Sequence, residues 1–292
     1  MRCKKCTATA VSENPVLCKK HFLEHVEEVV HHTLVSRRLV RKAEKIGVAL
    51  SGGKDSITLL YLLRKFHGKV EAIAIDEGIE GYREKTLEDA KKFCGKHRIR
   101  MSIHSFRDEF GFSLDQRLTK KDRPCSVCGI LRRNVLNKYA RAFDKLATGH
   151  NMDDEAQAIL MNLLRFNWEA LPRGGPKPGI IRDEAFVPRI KPLYFLTEKQ
   201  VALYALLMGF GVGFAECPNA RLSYRAFVRD LLNEYESQHP GTKEKLVQFY
   251  LVLQSKLKTK VSSAPLSHCL RCGMPSKGDY CAACQTARVV VN

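Results

Sequence analysis

Apolar positions along the chain alternate between two periods. Short runs dense in β-branched or apolar residues, KIGVAL (45–50), KVEAIAID (69–76), IRMSIHSF (99–106) and KLATGH (145–150), have the length of strands. Each is followed by a segment with helical spacing: ITLLYLLRKF (57–66), REKTLEDAKKFCGKH (83–97), ILRRNVLNKYARAF (130–143) and DDEAQAILMNLLRF (153–166). A helix over 22–44 comes first, with Phe22, Val26, Val29, Val30 and Leu34 on its apolar face. Past the fourth unit, helices are expected over 196–210, 221–241 and 243–258, the last two parted by Pro240-Gly241, with a last strand over 212–217. Residues 107–124 and the Pro/Gly-rich LPRGGPKPG (171–179) read as loops. Strands that alternate with helices build βαβ units, so the expected class is α/β, an open parallel sheet with helices on both faces.

Charge and cysteine usage add to this picture. The 292 residues carry 49 Lys and Arg against 31 Asp and Glu, a formal charge of +18. Such an excess suits a polyanionic partner, because bound phosphates release counterions, although a generically basic surface also accounts for it. Arg37, Arg38, Arg41 and Lys42 follow the same two readings, as cations that suit a helix C-terminus or as nucleic-acid contacts. No apolar run reaches the ~18 residues of a membrane span, and MRCKKC at the start has no secretory core. The expected setting is therefore soluble and cytoplasmic.

The 11 cysteines are clustered. In a cytosolic chain, paired C-x-x-C spacing argues for metal before disulfide. Cys269-x2-Cys272-x8-Cys281-x2-Cys284 offers four thiolates, a closed tetrahedral shell for zinc. Cys3-x2-Cys6-x11-Cys18-x2-His21 offers a second such set, in which nearby His25 competes with His21 as the fourth ligand. Two structural Zn²⁺ ions are expected, stapling small modules that would not hold alone. The chain then divides into an N-terminal zinc module (1–24), a catalytic domain with a helical extension (25–262) and a C-terminal zinc ribbon (263–292). SSAP (262–265) serves as the linker, and Cys94, in a helix beside Phe93, is expected to be a core residue.

Ser51-Gly52-Gly53-Lys54-Asp55-Ser56 lies between an expected strand and an expected helix. Glycines let backbone amides approach an anion, and the helix N-terminus favours negative charge. Lys54 can neutralise a phosphate, the Ser51 and Ser56 hydroxyls can donate to it, and Asp55 suits Mg²⁺. The spacing is not that of a Walker A loop. It resembles the SGGxDS signature of PP-loop ATP pyrophosphatases, which implies cleavage of ATP between the α and β phosphates and adenylation of a carbonyl oxygen. Gly149-His150-Asn151-Met152-Asp153-Asp154 follows the fourth strand and resembles the GHN-x-DD segment of the tRNA-thiolating branch. Gly149 and His150 would then face ATP, and Asp154 would support Mg²⁺ or the reacting uridine; an acidic helix-capping box is the plainer reading.

Cys125 and Cys128, in PCSVCG, and the distant Cys217, in ECP, fall one thiolate short of a closed zinc site or a fully ligated cubane cluster. Three readings stand: a 4Fe-4S cluster with an open iron for incoming sulfur, a disulfide–persulfide relay, and inert structural thiols. The ordered set of SGGKDS, PCSVCG, GHNMDDEAQ and ECP, between cysteine modules at both ends, resembles the TtuA-type tRNA 2-thiouridine synthetases and their wobble-uridine relatives over essentially the whole chain. The resemblance implies ATP-dependent 2-thiolation of a tRNA uridine, at position 54 or alternatively 34, through a three-cysteine 4Fe-4S cluster. It further implies a basic active-site residue at Arg132, a ubiquitin-like sulfur carrier with a C-terminal thiocarboxylate, and a homodimer. A zinc-ribbon RNA-binding protein with a vestigial ATP site and an amide-forming synthetase are the rival classes; the intact SGGKDS opposes the first, and the cysteine trio has no purpose in the second.

Overall fold

A computed structural model describes residues 1–179, 183–211, 213, 216–258 and 267–288. An N-terminal hairpin, β1 (Ser12–Glu13) and β2 (Val16–Leu17), leads into α1 (Lys19–Ser36). There follow β3 (Ile46–Ala49), α2 (Lys54–Phe66), β4 (Val70–Asp76), α3 (Arg83–Lys96) and β5 (Met101–Ser105). Two short helices, α4 (Phe106–Phe110) and α5 (Leu114–Arg117), occupy the expected loop before α6 (Pro124–Ala140), β6 (Lys145–Ala147) and α7 (Met152–Leu164). β7 (Arg189–Ile190), α8 (Glu198–Leu207), α9 (Tyr224–Gln238) and α10 (Thr242–Lys258) complete the central body. The C-terminal unit consists of β8 (Ser267–His268), β9 (Pro275–Ser276) and α11 (Ala282–Arg288).

The central sheet is parallel, with strand order β5-β4-β3-β6-β7. Successive side chains on a strand face opposite ways, and β4 separates its residues accordingly. Val70 and Ala72 join a core with Phe22 and Val26 of α1, Leu59 and Leu63 of α2, and Val201 and Tyr204 of α8. Ile73 and Ile75 join a second core with Leu131 and Val135 of α6. A sheet buried on both faces explains why its strands read as apolar runs without alternation. A third cluster packs α7 against α9 and α10 through Ile159, Val228, Leu232, Val247 and Tyr250.

Both terminal units pack onto this body. Cys3, Leu17 and Cys18 belong to the first core, and Met274, Cys281 and Cys284 to the second, against α6. Cys94 is buried beside Phe93, as expected. No helix among the described residues is long and apolar enough to cross a membrane.

Some expectations change and others fall outside the described residues. The strand expected over 212–217 falls largely outside the described residues, as does the linker 262–265; the fifth strand is β7, paired with β6 through Leu146↔Arg189 and Ala147↔Ile190. The 22–44 helix is α1, which ends at Ser36. The helix expected from residue 130 begins at Pro124, because proline is pre-organised for the first helical position and its missing N–H costs nothing there.

Candidate active site

Strand order reverses direction at β3. The chain steps from β3 outward to β4 and β5, then returns to the other side for β6. In open α/β sheets ligands bind at the carboxyl ends of the strands beside such a switch point. Here the N-termini of α2 and α7, which follow the neighbouring strands β3 and β6, open onto one crevice.

The SGGKDS segment forms that crevice's first wall. Ser51 N–H donates to Ser56 Oγ (3.1 Å), the two hydroxyls lie 3.0 Å apart, and Ser56 Oγ donates to the Gly53 carbonyl (3.0 Å). Gly52 has φ +85°, and a Cβ there would stand 2.0 Å from the Thr86 carbonyl oxygen, so no other residue fits. Lys54 Nζ pairs with Asp55 (3.1 Å) and Glu198 (2.8 Å). Burial opposes its charge, but the two carboxylates outweigh burial and raise its pKa. Burial likewise raises Asp55, against the pull of Lys54.

The GHNMDD segment forms the second wall. Asn151 and Asp154 make a reciprocal capping box at the start of α7, each bond 3.2 Å, and Asn151 Nδ2 donates to Asp55 Oδ1 (3.2 Å). The plainer capping reading of Asp154 therefore holds, and the cap also ties the two walls together. Gly149 lies against the backbone of Asp55 and Ser56, where a Cβ would meet atoms at 3.1 Å. Asp55, Asn151, Asp154, Gln157, Glu198 and Arg225 line a cavity of 140 Å³. Burial pushes the Asp154 carboxyl up to about 6, although Arg225 lies 3.7 Å away. His150 Nδ1 contacts Thr148 Oγ1 at 2.9 Å. Lost solvation, with Lys191, Arg225, Arg132 and Arg189 around it, pushes His150 down to about 3, so the ring is neutral at physiological pH.

The three thiols gather at the same edge of the sheet. A crossover helix runs back from the carboxyl ends of the strands, so the first turn of α6 holds Cys125 and Cys128 there. Cys217 comes from the segment before α9, and Cys125 Sγ donates to the Asn219 carbonyl (3.3 Å). Cys125, Cys128 and Cys217 lie close enough to influence one another electrostatically; burial pushes Cys128 up to about 12 and also raises Cys217. Arg132, one helical turn beyond Cys128, faces Cys128, Cys217, Tyr82 and Glu77.

The terminal cysteine sets have a different geometry. The ligand atoms of Cys3, Cys6, Cys18 and His21 lie within 4.8 Å of one another, as do those of Cys269, Cys272, Cys281 and Cys284. His21 Nδ1 is 3.3 Å from Cys3 Sγ and 3.4 Å from Cys18 Sγ, and His25 is outside the set. Among the described residues only these two groups are so compact; the internal trio is more widely spread. Thiolates around one zinc sit about 4 Å apart, so the terminal sets have the spacing of a single ion.

Several contacts in this region carried no mark in the sequence, even where one partner sits in a marked motif. Glu198 and Asn151 reach Lys54 and Asp55 from distant elements. Asp153 accepts from Glu198 N–H (2.7 Å) and pairs with buried Lys243, joining α7, α8 and α10. Glu77 and Arg83 form an ion pair at 2.9 Å with each side chain nearly sealed. Isolated charges in turns and helices look alike in a sequence; only the fold brings these together.

Comparison with known proteins agrees with this geometry. A PP-loop domain model matches residues 19–234. The chain is 38% identical to a tRNA-5-methyluridine(54) 2-sulfurtransferase of Pyrococcus horikoshii, over 98% of this chain and 93% of that protein. It is 33% identical to cytoplasmic tRNA 2-thiolation protein 1 of Drosophila sechellia, over 97% of this chain and 86% of the relative. The solved structure of the U34-tRNA thiolase NcsA of Methanococcus maripaludis with its 4Fe-4S cluster superposes with a TM-score of 0.84 at 32% identity, covering 100% of this chain and 97% of that one. A whole-length match of this kind, joined to an ATP loop and three thiols at one switch point, settles the family: the chain belongs to the PP-loop tRNA 2-sulfurtransferases.

Proposed function

We propose that this enzyme replaces O2 of uridine 54 in tRNA with sulfur, in two steps at the β3/β6 crevice. The observation that carries the reading is the convergence of the ATP loop and the cysteine trio at one sheet edge. In the first step the uridine O2 attacks the α-phosphate of ATP; the O–P bond forms, the α–β bridge breaks, and pyrophosphate leaves. Loop amides at Gly52 and Gly53, the Ser51 and Ser56 hydroxyls and Lys54 hold the phosphates. Asp55 and Asp154 would hold Mg²⁺, with Asn151 orienting Asp55. His150, neutral, lines the nucleotide site and can donate or accept a hydrogen bond without adding charge.

In the second step a sulfur nucleophile attacks C2, and the C2–O bond breaks to release AMP. Cys125, Cys128 and Cys217 would hold the 4Fe-4S cluster, which supplies an iron without a protein ligand for the incoming sulfur. Arg132 places a cation beside this site. A ubiquitin-like thiocarboxylated carrier as the upstream donor rests on the family resemblance. Each terminal four-ligand set would hold one structural Zn²⁺. The tRNA reading is supported by a groove of 1850 Å³ between α6, residues 173–179 and 183–189, and the C-terminal unit, to which Arg133, Arg141, Arg173, Arg189 and Lys258 contribute. The homodimer reading is supported by exposed Phe227, Leu231 and Tyr235, four residues apart on α9. The division at 1–24, 25–262 and 263–292 follows the two metal-binding ends, and a cytoplasmic location follows the relatives named for it.

The match to the U34 thiolase favours position 34 as the second reading. Mass spectrometry of RNase fragments of tRNA incubated anaerobically with enzyme, ATP and sulfide decides between them. Thiolation mapped to the T loop supports position 54, thiolation of the anticodon supports position 34, and none at either rejects the reading.

A further inference from the structure

Glu77 lies between β4 and α3, and neither step above uses it. Its side chain is only 6% exposed, and its two oxygens face two different arginines. Oε2 pairs with Arg83 Nε at 2.9 Å; Oε1 faces Arg132 Nη1 at 3.6 Å. Arg83 is held from every side: its Nε donates to the Ile75 carbonyl (2.8 Å), as does Nη2, and its Nη1 donates to the Ser51 carbonyl (2.5 Å) and to Thr86 Oγ1 (2.9 Å). An arginine so fixed leaves the second Glu77 oxygen pointing in one direction.

Arg132 is the opposite case. Half its side chain is exposed, and beyond Glu77 its guanidinium is close enough to Cys128, Cys217 and Tyr82 to feel their charge. A long half-exposed side chain has many rotamers unless something holds it. Arg83 already balances the Glu77 charge, so Arg132 is not needed to make that burial tolerable. The trio of one carboxylate and two guanidinium groups keeps one surplus positive charge, and it faces the thiols. Ser51 begins the ATP loop, so the chain Ser51–Arg83–Glu77–Arg132 runs from the nucleotide wall to the sulfur site.

We propose that Glu77 is a positioning residue that aims the Arg132 guanidinium at the three-thiol site and, through Arg83, fixes that site relative to the ATP loop. The inference rests on the two-step reading for its effect on rate, and on the structure alone for the contact. A group held in reacting geometry carries up to about 100-fold in rate for a displacement of about 1 Å.

The test compares wild type with E77Q, R132A and the double variant. The first readout is the arginine Nη NMR spectrum of the protein, with Arg132 assigned by its loss in R132A. The expected result is an Arg132 guanidinium whose rotation about the Nε–Cζ bond is hindered in wild type, giving separate Nη signals, and at least about tenfold faster in E77Q. The second is single-turnover thiolation, expected to fall by about 10- to 100-fold in E77Q, with the KM for ATP within about twofold and the double variant no slower than R132A. Multiplying effects of the two substitutions, or an Arg132 signal unchanged in E77Q, would overturn the proposal. A wild type that makes no thiouridine sinks the two-step reading, while the NMR comparison still decides the Glu77–Arg132 contact. If E77Q does not fold, E77D, which keeps the charge and shortens the reach to Arg132, serves in its place.

Discussion

Two kinds of cysteine site share this molecule, and their geometry separates their purposes. The terminal sets bring four ligand atoms within 4.8 Å, bury three of the four cysteines in the C-terminal set and two of the three in the N-terminal one, and join the main cores. In Cys3 burial is outweighed by N–H groups of Cys18 and Lys5 that lower the thiol to about 6, and in Cys269 by those of Cys281 and Cys272 with the same result. In the same C-terminal set burial and the neighbouring thiols hold Cys272 and Cys284 up, so the four ligands do not ionise together without a cation among them. The internal trio has three thiols, a wider spacing, an exposed Cys125 and a cation at its side. A closed shell stabilises a fold; an incomplete one leaves room for chemistry.

The largest break in that comparison comes from the closed sites. Replacing Cys281 with serine should forfeit much of the roughly 10–16 kcal/mol that structural zinc contributes to folding. The expected outcome is loss of about one zinc per chain and rapid tryptic cleavage within 267–288, with the central body still folded. Persistence of both zincs would show that this set is not a zinc shell.

Cys217→Ala should do the reverse. Thiolation should fall by about 1,000-fold or more, as for removal of a reacting group, while the thermal midpoint moves by no more than about 4 °C. ATP-dependent pyrophosphate release should continue. Unfolding of this variant would make the trio a structural element instead.

A smaller effect follows from Asp154. A carboxyl of this type is ordinarily ionised above about 4; here burial holds the proton up to about 6. Between those values the unfolded chain gives up its proton while the folded chain keeps it, so stability falls as pH rises, and the cost is complete above about 6. Asp154→Asn should match wild type in unfolding free energy at pH 4 and exceed it at pH 7, by about 1 kcal/mol after solvent screening of the partly exposed carboxyl. Pyrophosphate release in wild type should rise through pH 6 as the carboxylate forms, and the variant should lack that limb. The smallest effect belongs to His25: since His21 completes the first set, His25→Ala should leave zinc content unchanged.

The sequence made the alternating strands and helices legible because each carried its own period, and it made the ATP loop legible because glycine at a positive φ beside a phosphate site has few substitutes. Less was visible where structure depends on contacts. β7 is two residues long, too short to show a period, and exists only because β6 offers it an edge. The early start of α6 is explained by Pro124, whereas helical apolar spacing becomes visible only from residue 130. The choice between His21 and His25 needed distances, since both follow the same cysteine on one helix. Glu77, Arg83 and Glu198 had no local mark at all, because their partners come from other elements.

The central claim, that the open trio carries an iron–sulfur cluster and the closed sets carry zinc, is tested most directly by metal analysis of protein purified without oxygen. Iron, acid-labile sulfide and zinc would be measured in wild type and in Cys125→Ala, Cys128→Ala and Cys217→Ala. The account predicts about four irons and two zincs per chain, with iron lost and zinc kept in every variant. Zinc without iron, even after anaerobic reconstitution, would contradict it and leave the disulfide–persulfide relay as the explanation of the three thiols.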